Sequence, residues 1–171
     1  METLKTQSDK PHAEQALGDE TFMSATDLRN YMTEMQMARA SKAVDSMDRA
    51  SKARQDLTKT LTQPVDLTPE RLKEIGQNLL HKLRSAAQRS ETELMVMRFP
   101  VDLCSDHGRA INNADPEWPD TLTGRPRQAF ELWRDQLKPA GYQLKAMIIE
   151  WPGGMPGDVG FFLSWGEKKK F

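Results

Sequence analysis

The segment YQLKAMIIEWPGGMPGDVGFFLSW, Tyr142 to Trp165, decides the fold class. Its arms, Tyr142 to Trp151 and Val159 to Trp165, are rich in Ile, Val, Phe and Trp, side chains that suit a pleated, half-buried surface. Between them lies PGGMPGD, where Pro152-Gly153 and Pro156-Gly157 each offer the two central residues of a type II turn. The stretch predicts a β-hairpin. A third strand is expected upstream, because ELMVMRF (Glu93 to Phe99) is apolar on both alternations except at Arg98 and is ended by Pro100.

Between that strand and the hairpin, residues 102 to 112 are expected to form a short helix with Leu103, His107, Ala110 and Ile111 near one face, weakened by Gly108. ADPEWPDTLTG, with two prolines around Trp118, must be loop. Residues 125 to 138 predict a helix that buries Phe130, Trp133 and Leu137, stopped by Pro139 and turned by Gly141. Trp133, Trp151 and Trp165 read as core.

Upstream of the strand the pattern changes in kind. From about Thr26 to Leu61 there is no Pro or Gly, and Ala, Met, Arg, Lys and Gln dominate, which predicts one long helix. Its apolar residues form a first stripe at Leu28, Met32 and Met35. A second, coiled-coil-like seam follows at Ala40, Ala43, Met47, Ala50, Leu57 and Leu61, interrupted by Arg54. RASKA occurs twice, at 39 to 43 and 49 to 53, but ten residues is not a whole number of turns, so this is composition bias and not a structural repeat. Gln63 and Pro64 stop the helix. Thr68 and Pro69 start a second with an N-cap and a proline at the first helical position, and Leu67 and Leu72 are spaced for a hydrophobic staple. Leu72, Ile75, Leu79, Leu83 and Ala86 or Ala87 then repeat at three and four residues to about Ser90.

The expected fold class is α+β: an N-terminal helical hairpin, one long helix plus one medium helix, followed by a small three-stranded, mainly antiparallel sheet with one or two packed helices. The expected divisions are a flexible tail (1–24), the helical hairpin and possible oligomerisation region (25–91), the α+β domain (92–166) and a basic end (167–171).

Composition bounds the function. The 171 residues carry 24 Lys plus Arg against 25 Asp plus Glu, a net charge of −1, so bulk electrostatic coating of nucleic acid or anionic membrane is excluded. A mean hydropathy of −0.70 reflects a polar chain with no apolar run long enough to span a bilayer. The single cysteine, Cys104, excludes an intrachain disulfide and fits a reducing compartment. With a polar N-terminus from Met1 to Lys10, the cytoplasm is the expected location.

The densest polar group is Asp102, Cys104, Ser105, Asp106, His107 and Arg109, followed by Asn112 and Asn113. Cys104, Asp106, His107 and Arg109 are the candidate catalytic residues, since an imidazole brought onto a thiol makes a thiolate nucleophile. The competing structural role makes Cys104 a small buried hydrophobe and Asp106 or Ser105 a helix cap. A metal site from Cys104, Asp106 and His107 is disfavoured, because three nearly consecutive short side chains rarely converge on one ion. His12 and His81 lie in other segments. PGGMPGD leads into a strand and not a helix, so turn chemistry explains it without a phosphate. No cofactor or metal is called for.

The first expected function is a non-enzymatic interaction or regulatory protein. It binds a protein partner or its own copy through the first helix, with Met47, Leu57, Leu61 and Trp118 as partner-binding residues. An aromatic on a proline-stiffened acidic loop, as Trp118 is, can anchor in a partner pocket or cap its own domain. The alternative is a small enzyme or ligand-binding domain centred on Cys104 to Asn113 and the Trp118 loop. A third is a DNA-binding accessory using the first helix. There, however, acids (Glu34, Asp45, Asp48, Asp56) are interspersed among the bases, which makes nucleic acid an unfavoured partner.

Overall fold

A computed structural model of the protein describes residues 24–167. The expected N-terminal tail before Ser24, with His12, and the basic end after Glu167 lie outside the described residues. The chain divides into two compact units, one ending at Lys52 and one running from Ala53 onward.

Helix α1 spans Ala25–Thr62 and belongs to both. Ser24 starts it: its Oγ accepts from the Asp27 amide at 3.1 Å and donates to the Asp27 carboxylate at 2.6 Å, a reciprocal cap of Ser-x-x-Asp form. The 38 residues contain no Pro or Gly, and none of them is buried. Among the described residues the first unit is therefore helix alone.

In the second unit, α2 spans Pro69–Gln88, with Thr68 Oγ accepting from the Arg71 amide at 3.2 Å as the N-cap that the Thr-Pro pair predicts. Its stripe buries Leu83 and Ala86. Three strands follow: β1 (Glu93–Pro100), β2 (Gln143–Ile148) and β3 (Asp158–Ser164), in spatial order β1-β3-β2 with both pairings antiparallel. Helix α3 (Arg109–Asn112) and helix α4 (Gly124–Leu132), which widens into a π-helical turn at Trp133–Leu137, lie between β1 and β2 in the chain. The α+β architecture is as expected, and no helix among the described residues is long and apolar enough to cross a membrane.

Register sets the core. Phe99, Val159 and Ile148 sit opposite one another across the sheet, and Met97, Phe161 and Ala146 form the next row. Because side chains alternate across a strand, these rows share one face. Phe99 and Phe161 meet edge to face at 4.9 Å, and Leu103, Cys104, Leu122 and Val159 complete a buried cluster around them.

Three expectations are corrected. Residues 102 to 112 form no continuous helix, only the end of a 3-10 turn at Val101–Leu103 and α-helix at Arg109–Asn112, because His107 (φ 54°) and Gly108 (φ 82°) are both left-handed and break the helical path before α3 begins. Of the two proline-glycine pairs, Gly153 takes the positive φ of a type II turn (59°), whereas Gly157 is not among the left-handed residues, so Pro156-Gly157 makes no such turn. Trp151 is 47% exposed and outside the core.

The end of α1 meets α4 closely. The Gln128 side-chain amide exchanges two hydrogen bonds of 2.9 Å with the backbone of Val65, and Arg125 Nε donates to the Gln63 carbonyl. Gly124 is left-handed (φ 60°), and a Cβ there would collide with the Leu61 carbonyl oxygen. Gly124→Ala should therefore cost about 2–4 kcal/mol, combining left-handed strain with overpacking. Gly76→Ala, in an open position of α2 with nothing within 4 Å, should add about 0.5–1 kcal/mol. Urea unfolding followed by far-UV circular dichroism measures both.

Candidate functional site

The polar cluster that the sequence singles out is built on the chain leaving β1. Val101–Leu103 makes one 3-10 turn, after which Ser105 N donates to the Thr121 carbonyl and Thr123 N to the Leu103 carbonyl, pinning this segment to the loop before α4. Cys104 lies between these bonds and is 1% exposed. Burial pushes its thiol up from an ordinary value near 9 to about 11. The Asp106 charge adds to the rise, and hydrogen bonds with the Thr121 side chain and the Gly108 backbone oppose it.

Asp106 caps α3, its two carboxylate oxygens accepting from Gly108 N at 3.0 Å and Ala110 N at 2.7 Å. His107 presents an imidazole that is 76% exposed, with Nδ1 3.8 Å from Asp102. Arg109 is exposed on α3 and has no ion-pair partner among the described residues. A buried, proton-holding sulfur and a solvent-facing imidazole do not make a thiolate pair, which needs an exposed thiol of lowered pKa. Among the described residues no group of three His, Cys, Asp or Glu side chains is placed to hold a metal ion.

A second cluster, which the sequence pattern did not single out, is centred on Asp158, the one buried charged residue in the described core. Its carboxylate takes Arg54 Nη1 on Oδ1 at 2.9 Å and Arg98 Nε on Oδ2 at 2.7 Å. Arg54 also donates to the Gly157 carbonyl at 2.6 Å and lies 3.8 Å from Asp102, while Arg98 reaches Glu150 at 2.6 Å. Two guanidinium groups on one buried carboxylate satisfy the charge that desolvation would otherwise expel. The available signal was that Arg54 and Arg98 each stand alone in an apolar series and so need an acceptor.

The partner-binding candidates separate. Met47 is 72% exposed, and Leu57 is also exposed. Leu61 instead packs against the buried cluster of the second unit; with Arg54 and Thr58 it makes the half-buried face of the last turns of α1, so it is not free for a partner. Trp118 packs inward too, edge to face on Phe130 at 5.5 Å and tilted on Phe161 at 5.8 Å, which makes it an internal cap and not a projecting anchor. A separate apolar cleft of about 280 Å³ lies between α2 and α4, with Leu79, Met97, Leu132 and Trp133 among its walls and Lys82 beside them.

Cys104 should resist iodoacetamide at pH 7 to 9 in the folded protein and react once urea unfolds it. Because its folded pKa is raised, the stabilisation is full below about 9 and is lost as pH rises from there toward 11, so unfolding midpoints should fall across that window. Asp158→Ala should cost about 2–3 kcal/mol by removing charge-assisted hydrogen bonds at a buried acceptor, whereas Glu150→Gln, at an exposed pair, should change stability little. Denaturant titration distinguishes them. No protein-family model, curated protein or solved structure matches the chain, so the chemistry of the site rests on its own residues.

Proposed function

We propose that the protein is a non-enzymatic interaction protein whose long helix pairs with the same helix of a second copy. The observation that carries this is α1 itself: a 38-residue helix with no buried residue that nonetheless exposes large apolar side chains. Leu28, Met32 and Met35 form one exposed stripe, and Met37, Val44 and Met47 form another on the opposite side at helical spacing. Helices in proteins owe most of their stability to packing of an apolar face, so such a helix calls for cover.

Charge favours a copy of itself over a polyanion. From Ser24 to Lys52 the helix interleaves Arg29, Arg39, Lys42, Arg49 and Lys52 with Asp27, Glu34, Asp45 and Asp48, so bases of one copy can meet acids of another. The same interleaving weighs against the DNA-binding alternative, and the buried, high-pKa Cys104 thiol weighs against the enzyme alternative.

Sedimentation equilibrium at about 100 µM tests this, a concentration well above the micromolar dissociation constant that a specific pairing would show. The wild type should sediment as a dimer, and Met47→Asp should sediment as a monomer with reduced helix content. A monomeric wild type, or a dimer indifferent to Met47→Asp, sinks the proposal.

A further inference from the structure

The sheet has two edges, and the chain treats them differently. β1 carries a bulge between Met95 and Met97 and ends on Pro100, which has no N–H to offer. Bulges and prolines are means by which proteins blunt an edge against further pairing. β2 has no bulge and no proline.

The direction of the free groups on β2 follows from the bonds at the ends of β3. The Trp165 amide donates to Thr92 at 3.0 Å, so odd-numbered residues of β3 aim their backbone at β1, while Gly157, just before the strand, divides its groups, its carbonyl accepting from Val101 N and its amide donating to Glu150. The Asp158 carbonyl accepts from Ile149 N at 2.9 Å, so even-numbered residues aim at β2. By register these engage Gln143, Lys145 and Met147. The N–H and C=O groups of Leu144, Ala146 and Ile148 therefore point away from the sheet. None of them has a hydrogen-bond partner among the described residues.

These groups border an open groove of about 470 Å³, whose opposite wall is the segment from Ile111 to Trp118. That volume falls within the roughly 300–1,000 Å³ of ligand sites. The far wall is acidic: Asp115 lines it, Glu117 and Asp120 flank Trp118, and none of the three forms an ion pair among the described residues. Lys145, the base beside the groove, is already held by Glu93 at 3.2 Å.

We infer that the free edge of β2 takes up an extended segment of a partner protein as a fourth strand, with apolar side chains at alternate positions against Ile111 and Trp118 and basic side chains toward Asp115. A helix or a compact apolar molecule would leave the edge amides and carbonyls unpaired, whereas an added strand satisfies them and lets the groove select its side chains. The site shares no residue with the exposed stripes of α1, so Met47→Asp should leave it intact.

The test uses hydrogen exchange on the full chain with three synthetic nonapeptides: alternating Val and Lys, alternating Val and Glu, and the Val-Lys sequence N-methylated at every residue, so that neither edge of the peptide can donate. In the free protein the amides of Leu144, Ala146 and Ile148 should exchange as open groups. The Val-Lys peptide should slow them at least tenfold, the Val-Glu peptide should bind at least tenfold more weakly, and the N-methylated peptide, with the same side chains, should give no protection. Protection already present in the free protein would mean that the edge is occupied, by a second copy if it grows with concentration and by this chain if it does not; either overturns the inference. So would an unchanged exchange rate at about 1 mM Val-Lys peptide, or equal protection by the N-methylated one.

Discussion

The carboxylate of Asp158, near the end of the second unit's sequence, is shared between a guanidinium group from its start and one from its first strand, and much of the unit is organised around that sharing. Arg54 arrives from the last turns of α1, Arg98 from β1, and Asp158 is the first residue of β3. A carboxylate that is only 12% exposed is costly to bury without charged hydrogen-bond donors of this kind. The Gly157 carbonyl, as a second acceptor for Arg54, holds the backbone just before the strand as well. A slip of one residue in β3 would move Asp158 away from both arginines and turn Val159 and Phe161 out of the core, so the ion network and the apolar face specify one register together.

Much of the architecture was legible because it follows from period and punctuation. The unbroken run to Leu61, the Pro64 stop, the Thr68-Pro69 start, the apolar run to Phe99 and the two hairpin arms all correspond to elements within a few residues. Strand order was not legible, since nothing local says that β3 lies between β1 and β2. The role of Arg54 was not legible either. Periodicity separates apolar from polar positions, and on that scale Arg54 is a flaw in a seam. Its acceptor lies 104 residues away, beyond any local pattern. What reads as an interruption of a helix–helix surface is the point at which α1 fastens to the sheet, and Leu61, two turns on, joins it there.

The polar cluster after β1 shows the opposite error. Cys104, Asp106 and His107 have the right chemical types for a nucleophilic site, yet their roles depend on solvent, which composition does not report. Asp106 spends both oxygens on backbone amides, which is the structural role the sequence also allowed. Cys104 sits in the core, where desolvation favours the neutral thiol. The pair of left-handed residues, His107 and Gly108, swings the imidazole out to water while the sulfur stays inside. A one-turn spacing on an imagined helix would bring the two together. The actual turn separates them.

Trp118 and the edge of β2 belong to one constraint. A small sheet packed on one face needs large aromatics to close its core, and Trp118 closes this one against Phe130 and Phe161. To reach them the loop from Asn113 to Trp118 must run alongside β2 without pairing with it, because Pro116 and the left-handed Ala114 deny it an extended strand conformation. The loop therefore stands off from the edge as a second wall, and the gap between wall and edge is the groove. The asymmetry between the two edges is thus a consequence of how the core is sealed. On the β2 side α3 packs against the strand, and the aromatic is delivered by the loop after it, which cannot itself become the neighbouring strand.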